Sequence, residues 1–157
     1  MSATLSLNLE DKHSPKRNSS QVGQLGEELA AHFLRKSGYR LVAANFKTPI
    51  GRNRRDAEIT GEIDLIALDA DVLCFVEVKT RSSDEFASPL AAVDLRKQRQ
   101  IIRTARMYRK IFRLHQTKIR YDVISIVLPE NARPKIELFK NYFNEEKFRK
   151  NFWRDEF

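Results

Sequence analysis

The chain has 157 residues, enough to bury one hydrophobic core without disulfide bonds but too few for two domains of ordinary size. Its 29 Lys and Arg exceed its 21 Asp and Glu, and the formal net charge of +8 suits a polyanionic partner, although many soluble proteins are equally basic. No apolar run approaches the roughly 20 residues that span a bilayer, and the N-terminus lacks the apolar segment of a signal peptide, so we expect a cytoplasmic protein with no membrane partner.

The first third of the chain predicts a tail, a helix and a short strand. Residues 1–21 are polar with little apolar periodicity, so we expect a mobile tail. Apolar residues then recur at helical spacing over residues 24–37, and Gly38 follows as a helix stop. Residues 39–45 predict a short strand. The segment 47–60 is expected to be an inserted basic loop, because it combines turn-forming residues with four cations: Lys47, Arg52, Arg54 and Arg55.

Two predicted strands carry charged residues where strands rarely have them. The first contains Asp64, and the second, residues 73–80, contains Glu77 and Lys79; a polar turn at residues 69–71 predicts that they form an antiparallel hairpin. Glu77 and Lys79 share one strand face with Cα atoms ~6.6 Å apart, since each residue rises ~3.3 Å. Buried charges need a partner, and the simplest one for two acids is a divalent cation. The alternative is an exposed face on which Glu77 and Lys79 form a solvated salt bridge.

A second helix is predicted to end near residue 113, after a loop at residues 81–88. Its start is open, because Ser88 and Asp94 are both suitable N-caps. Lys97 and Arg81 are placed to reach the charged strands. The stripe beside the apolar face predicts either a surface that binds nucleic-acid backbone or a solvated amphipathic helix. Its six cations are Arg96, Arg99, Arg103, Arg106, Lys110 and Arg113.

Two more strands and a terminal helix complete a predicted order of αβββαβ with appendages. Residues 121–128 form an apolar strand, and residues 135–139 form a weaker one. Residues 144–153 predict a short aromatic and basic helix, whose rings either stack on unpaired bases or pack on the sheet or on a partner subunit. One domain therefore covers residues 22–157.

Several motifs resemble those of the YraN family. These small, mostly uncharacterised bacterial proteins resemble archaeal Holliday-junction resolvases and belong to the PD-(D/E)xK nuclease superfamily. The similarity covers residues 23–128, and its most specific part is the pair GEIDLIA and FVEVKTR. The segments that carry it include Gly23-Gln24-Leu25-Gly26-Glu27, Gly38-Tyr39, Asn45, Gly61 to Ala67, Phe75 to Arg81, and Tyr121-Asp122-Val123-Ile124.

The resemblance implies an α/β fold with a restriction-endonuclease-like core, in which helices flank a mixed β-sheet. Asp64 then takes the place of the first metal-binding acid, Glu77 the second, and Lys79 the catalytic lysine. Glu27 matches the helical acid that completes the metal site of the resolvase-like branch. The implied cofactor is Mg²⁺ or Mn²⁺, and the implied partner is DNA. Because resolvases act as dimers, the resemblance also implies a homodimer, for which the sequence shows no interface pattern.

The chain departs from the superfamily pattern in two places. Ile63 stands where the superfamily has a proline before the first acid, although the YraN pattern has the same residue there. The stretch between Asn45 and Gly61 is longer than the family pattern predicts. Its arginines, Arg52, Arg54 and Arg55, are expected either to grip DNA or to cover the groove beside the site.

The sequence therefore predicts a metal-dependent endonuclease that acts on DNA, with branched or otherwise structured DNA as the implied substrate. Two alternatives stay open: a catalytically silent DNA-binding module of the same fold, and an interaction protein with a basic face. The residues expected to contact nucleic acid are Arg81, Arg96, Lys97, Arg99, Arg103, Arg106, Arg52, Arg54 and Arg55.

Overall fold

The computed structural model describes residues 16–82 and 93–149 of the chain. No helix within these two ranges is long and apolar enough to cross a membrane. The predicted mixed α/β class is confirmed, as is the element order αβββαβ followed by one further strand. The elements are α1 (Ser19–Lys36), β1 (Arg40–Arg52), β2 (Glu58–Asp69), β3 (Val72–Ser82), α2 (Leu95–Ile111), β4 (Ile119–Leu128), β5 (Lys135–Phe143) and a 3₁₀ helix (Glu146–Phe148).

The five strands form one sheet in the order β1-β2-β3-β4-β5. Neighbouring strands are antiparallel except β3 and β4, which are parallel. A parallel pair needs a crossover connection, and α2 provides it, whereas β2 and β3 are joined directly by a tight turn. The sheet is therefore mixed, with β3 at its centre and β1 and β5 at its edges.

A helix covers each face of the sheet, so the protein has two hydrophobic layers. Leu34 of α1 belongs to one layer and Ile101 of α2 to the other. In β3, Cys74 faces the α1 layer and Phe75 the α2 layer, as strand alternation requires. Burial raises the pKa of the Cys74 thiol to about 12, so the thiol stays protonated at neutral pH. Because both faces are covered, the central strands are almost continuous apolar runs.

Both helices begin at side-chain caps. α1 starts several residues before the predicted segment 24–37, because the Asn18 side chain accepts a hydrogen bond from the Gln21 backbone and the Gln21 side chain accepts one from the Asn18 backbone. α2 starts after Asp94, whose carboxylate accepts the backbone N–H of Lys97 at 2.9 Å. The other predicted start, at Ser88, lies outside the described residues.

The segment 47–60 is not a loop, which corrects the sequence prediction. β1 and β2 extend through most of it, so it forms the far end of a β-hairpin that turns at residues 53–57. Pro49 is tolerated because β1 is an edge strand, and the register shifts between Pro49 and Gly51. Pro49 and Gly51 therefore mark a bulge within β1 and not the end of that strand.

Contacts with α2 hold this hairpin in place. The Arg103 guanidinium donates to the carbonyl of Ile50, and the Gln100 amide donates to the carbonyl of Thr60 at 3.4 Å. Gly61 lies so close to α2 that a Cβ there would collide with the hydroxyl of Thr104. A local sequence pattern does not reveal contacts with a distant helix, and the sequence therefore predicts a loop at residues 47–60.

The other differences lie near the ends of the chain. Residues 19–21, predicted to belong to the mobile tail, are the first turn of α1, and residues 1–15 lie outside the described residues. The weaker strand predicted at residues 135–139 extends to Phe143 as β5. Of the predicted helix 144–153, the structure describes the 3₁₀ helix Glu146–Phe148, and residues 150–153 lie outside the described part.

A buried ion-pair network links β2, β4 and β5 at the end of the sheet where β2 turns into β3. Asp122 of β4 is fully buried, and its carboxylate accepts from the Arg120 guanidinium at 2.8 Å and from the Asn141 backbone at 2.8 Å. Arg120 also donates to the carboxylate of Asp69 and to the hydroxyl of Tyr39, each at 2.9 Å. The Asp122 charge is therefore fully compensated inside the fold, as a buried charge must be.

Candidate active site

The candidate site lies where β2 and β3 separate. Their antiparallel ladder runs from Asp69–Val72 to Leu65–Val76, and Asp64 and Glu77 would form the next pair if it continued. Instead, the Asp64 carboxylate accepts the backbone N–H of Val78 at 2.8 Å. An acidic side chain thus satisfies a donor that the missing strand pairing would leave open. This hydrogen bond fixes the Asp64 carboxylate in the gap between the strands.

Glu77 is buried at this position and is held by two cations. Its side chain is 3% exposed, and its Oε1 lies 3.1 Å from Lys79 Nζ and 3.3 Å from Lys97 Nζ. Its Oε2 is also buried and has no hydrogen-bond partner in the described part of the protein. The alternative of a solvated Glu77–Lys79 pair on an exposed strand face is therefore wrong.

The buried Glu77 carboxylate and the partly buried Asp64 carboxylate repel one another. The pKa of Asp64 is raised from 3.8 to about 7, first because burial removes water from the carboxylate and next because Glu77 lies close by. The hydrogen bond from Val78 and the charge of Lys97 act in the opposite direction, and the charge of Glu27 raises this pKa further. Without a cation, this pocket therefore disfavours the full ionisation of its acids.

Glu27 approaches the same pocket from α1. Burial raises its pKa, a hydrogen bond with the Asn45 side chain lowers it, and the charges of Glu62 and Glu77 raise it again. Asn45 has a positive φ of 51°, a conformation that Asn adopts more readily than most residues. Asn45 appears in the sequence analysis only as a family motif residue, so its contact with Glu27 is a site feature that sequence reasoning missed.

The close approach of α1 to β3 depends on Gly26. A Cβ at this position would lie 2.8 Å from the Cβ of Thr80 and would collide with the Thr80 hydroxyl. Because Glu27 is the next residue along α1, the glycine sets how near Glu27 comes to the acids of β2 and β3. A glycine inside a helix costs about 1 kcal/mol relative to alanine, so here the close packing outweighs the backbone cost.

Gly26→Ala is expected to destabilise the protein by about 1–3 kcal/mol, because the added methyl pushes α1 away from β3. Gly23→Ala is the matched control in the same helix, since a Cβ at Gly23 meets nothing within 4 Å, and it is expected to stabilise the protein by up to about 1 kcal/mol. Urea unfolding followed by circular dichroism measures both changes. Equal effects of the two substitutions would show that Gly26 is not a packing residue.

The pocket fits a divalent cation through two carboxylates. Within residues 16–82 and 93–149, no group of three or more His, Cys, Asp or Glu side chains is arranged to hold a metal ion, so the predicted triad of Asp64, Glu77 and Glu27 is not assembled as direct ligands. Mg²⁺ commonly uses one or two protein carboxylates and keeps several waters. The unpartnered Glu77 Oε2 and the raised pKa of Asp64 are the two features that a cation would relieve.

Part of the predicted DNA-binding stripe on α2 has internal partners. Arg103 donates to the hairpin, Arg106 forms a 2.9 Å ion pair with Glu145, and the Arg99 guanidinium lies 5.8 Å from the ring centre of Phe148. These arginines therefore brace the hairpin and the segment after β5. Arg99, Arg103 and Arg106 thus have partners within the protein, which corrects the prediction that the stripe is wholly solvated.

The remaining predicted contact residues lie around the hairpin and the start of α2. Arg52 pairs with Asp56 across the hairpin turn at 3.6 Å, and Arg54 and Arg55 are exposed in that turn. Arg96 is exposed in the first turn of α2, next to Lys97. Arg81 is partly buried near the end of β3.

Comparisons with known proteins point to one family. The model described as "Uncharacterised protein family UPF0102" matches residues 26–126. A UPF0102 protein of Solibacter usitatus is 38% identical over 133 residues, covering 85% of this chain and 93% of that protein. A relative from Caldanaerobacter subterraneus is 42% identical over 113 residues, covering 72% and 84%, and one from Acetivibrio thermocellus is 36% identical over 139 residues, covering 86% and 100%. The crystal structure of SSO0001 matches with a TM-score of 0.36 and 15% identity over 80% of this chain and 52% of the other, a likeness too low to carry an argument.

Proposed function

The chain belongs to the uncharacterised protein family UPF0102, the YraN family that its motifs resemble, and we propose that it is a divalent-metal-dependent endonuclease. The proposed reaction is hydrolysis of phosphodiester bonds in DNA by water, on a core of the restriction-endonuclease type. The observation that carries the proposal is the buried Oε2 of Glu77, which lacks a hydrogen-bond partner among the described residues and lies in the same pocket as the Asp64 carboxylate.

A purely structural role would not favour this arrangement. A buried and a partly buried acid close together repel each other, and a buried acceptor without a hydrogen bond costs about 1–3 kcal/mol. A fold that needed only a stable strand end would be better served by apolar residues there. Such unfavourable electrostatics are concentrated at sites where a ligand or a reaction supplies the missing partner.

Asp64 and Glu77 would hold the cation directly, with Glu27 acting from α1 at the edge of the pocket. When bound, Mg²⁺ or Mn²⁺ would supply a Lewis acid that activates water and offsets charge on the attacked phosphate. The Val78 N–H keeps the Asp64 carboxylate in one orientation. Lys79, which is 25% exposed, offers an ammonium that can orient water or neutralise charge on the phosphate.

The charge distribution supports a nucleic-acid substrate. The net charge of +8 favours a polyanion, and the exposed Arg54, Arg55 and Arg96 stand on two elements that are held together by the contacts between the hairpin and α2. Contacts of this kind bind phosphates without reading bases. A branched or otherwise structured DNA is the substrate that the resemblance to resolvases implies.

A second candidate is a DNA-binding module of the same fold that no longer cuts. Two lysines already neutralise Glu77 Oε1, and Glu27 is engaged with Asn45 instead of completing a three-acid cluster. These contacts offset part of the acids' charge without a cation. The two functions differ in whether cleavage occurs, and not in whether DNA binds.

The proposal is tested by incubating the protein with fork, flap, four-way junction and linear duplex DNA, with and without Mn²⁺. We expect cleavage that requires the cation and that falls by about a hundredfold or more in Lys79→Ala, because the variant lacks the ammonium beside the acids. Binding of the same DNA at increasing salt should weaken steeply for both proteins. Salt-sensitive binding without cutting of any substrate would favour the silent module.

A further inference from the structure

Two lysines from different elements converge on one oxygen of Glu77. Lys79 follows Glu77 on β3, and its Nζ lies 3.1 Å from Oε1. Lys97 comes from the first turn of α2, and its Nζ lies 3.3 Å from the same atom. The other oxygen, Oε2, has no hydrogen-bond partner among the described residues. Oε1 therefore pairs with both ammonium groups, whereas Oε2 remains available to a ligand.

Lys97 is held in an electrostatically unfavourable place for a lysine. The first turn of α2 contains Arg96 and Lys97 and no acidic residue, although the positive end of the helix dipole repels cations there. The Asp94 carboxylate caps the Lys97 backbone at 2.9 Å and so anchors that turn. The Lys97 side chain is 28% exposed, so it is partly accessible to solvent although its ammonium contacts the buried Glu77. Such a cation needs an anion as its partner, and in the metal-free protein Lys97 forms an ion pair with Glu77 and its charge also acts on the Asp64 carboxylate.

We propose that Lys97 is an exchangeable counter-ion: it neutralises Glu77 in the metal-free protein and turns to a substrate phosphate when a divalent cation is bound at Asp64 and Glu77. This inference rests on the proposed function and adds a mechanism of coupling to it. A positive charge that leaves Glu77 finds no acid within the first turn of α2, and the N-cap carboxylate of Asp94 already accepts the Lys97 backbone N–H, so a bound phosphate is the proposed replacement. Cation binding and DNA binding then reinforce each other.

Lys79 and Lys97 have different roles in this proposal. Lys79 is tied to Glu77 by their spacing on one strand, so it stays beside the acids in either state. Lys97 is attached to a different element, and a rotation of its long side chain moves the ammonium without any movement of β3. Lys97 is therefore a positioning and phosphate-binding residue, whereas Lys79 is the proposed catalytic one.

The experiment measures cation and DNA affinities separately in the full-length protein and its variants. Calorimetry gives the affinity for Mn²⁺ without DNA, and fluorescence anisotropy of a labelled four-way junction gives the DNA affinity in EDTA and in saturating Ca²⁺. Lys97→Met removes the charge and keeps the length of the side chain, and Lys97→Arg keeps the charge. Lys118→Met is the matched control, because Lys118 pairs with the exposed Asp71 at the β2–β3 turn.

For the wild-type protein we expect Ca²⁺ to tighten DNA binding by about tenfold or more, within the usual range of coupling between two sites. Lys97→Met is expected to bind Mn²⁺ about three- to tenfold more tightly without DNA, and to lose most of the Ca²⁺-dependent gain in DNA affinity. Lys97→Arg keeps that gain, and Lys118→Met behaves as wild type.

Two results overturn the inference while leaving the proposed function in place. One is a Ca²⁺-dependent gain in DNA affinity that survives in Lys97→Met, and the other is a wild-type protein that binds Mn²⁺ but shows no gain. The second result does not depend on the folding of any variant. A wild-type protein that binds no divalent cation overturns both the inference and the proposed function.

Discussion

Asp64→Asn is expected to reduce Mn²⁺-dependent DNA cleavage by about a thousandfold, equivalent to about 4 kcal/mol of transition-state stabilisation. The substitution removes the charge that would bind a cation, while the Asn side-chain oxygen can still accept the Val78 N–H that the Asp64 carboxylate accepts at 2.8 Å. The gap between β2 and β3 should therefore keep its shape. In EDTA, DNA affinity is expected to be unchanged or up to about threefold tighter, because one negative charge near the phosphate path is lost.

Single-turnover cleavage and anisotropy on the same labelled substrate measure the two effects. Asp71→Asn is the control, since Asp71 is an exposed acid at the β2–β3 turn, away from the site, and it should cut at the wild-type rate. If Asp64→Asn retains more than about a tenth of wild-type cleavage, Asp64 is not a ligand for the catalytic metal. If Asp64→Asn loses DNA binding in EDTA as well as cleavage, the variant reports on folding and not on catalysis.

The metal-free protein is expected to lose stability between about pH 4 and pH 7, and Asp64→Asn is expected to remove that loss. The pKa of Asp64 is 3.8 in an ordinary environment and about 7 in the fold. Between these values the folded state keeps a proton that the unfolded state has released, so the stabilising contribution of Asp64 is complete below pH 4 and falls as the pH rises to 7. At about 1.4 kcal/mol per pH unit, the difference between variant and wild type should reach about 2–4 kcal/mol at pH 8.

Urea unfolding in EDTA at pH 4.5, 6 and 8 measures this difference. Comparison with the variant isolates Asp64 together with its interactions with Glu77 and Glu27, because the remaining titrating groups are the same in both proteins. Millimolar Mn²⁺ should stabilise the wild-type protein at pH 8 and leave Asp64→Asn almost unaffected, since a ligand that binds only the folded state stabilises it. A wild-type protein as stable as the variant at every pH would mean that the Asp64 carboxylate is not destabilised by burial.

The order of elements was predictable because it depends on local patterns. Helical spacing in α1 and α2 and the apolar runs of β3 and β4 each arise from one stretch of chain. The segment 47–60 was predicted as a loop because Pro49 and Gly51 normally end strands. The hairpin continues through this segment because β1 is an edge strand that tolerates a bulge. In addition, Arg103 of α2 donates a hydrogen bond to the backbone carbonyl of Ile50.

The sequence predicted that Asp64, Glu77 and Lys79 belong to the candidate site, but it predicted neither the role of Asn45 nor the electrostatics of the site. The pattern places Asp64 on one strand and Glu77 and Lys79 on the next, and strand geometry brings them near one another. No spacing rule indicates that the ladder stops after Leu65–Val76, that Glu77 is 3% exposed, or that Asn45 bonds Glu27. The cations of the α2 stripe were visible in the sequence, but their partners, such as Glu145 for Arg106, were not.

The sequence by itself determined the mixed α/β class, two amphipathic helices, a set of apolar strands and a small group of acids and lysines, because these follow from the period of each element. The tertiary structure alone decided that β2 and β3 part at Asp64, that Lys97 joins Lys79 on Glu77, and that one oxygen of Glu77 is buried without a hydrogen bond from any described residue. The physical reason is that burial and charge pairing depend on which distant elements pack together. The pKa and the ion-pair partners of a carboxylate are therefore set by groups that are up to dozens of residues away in the chain.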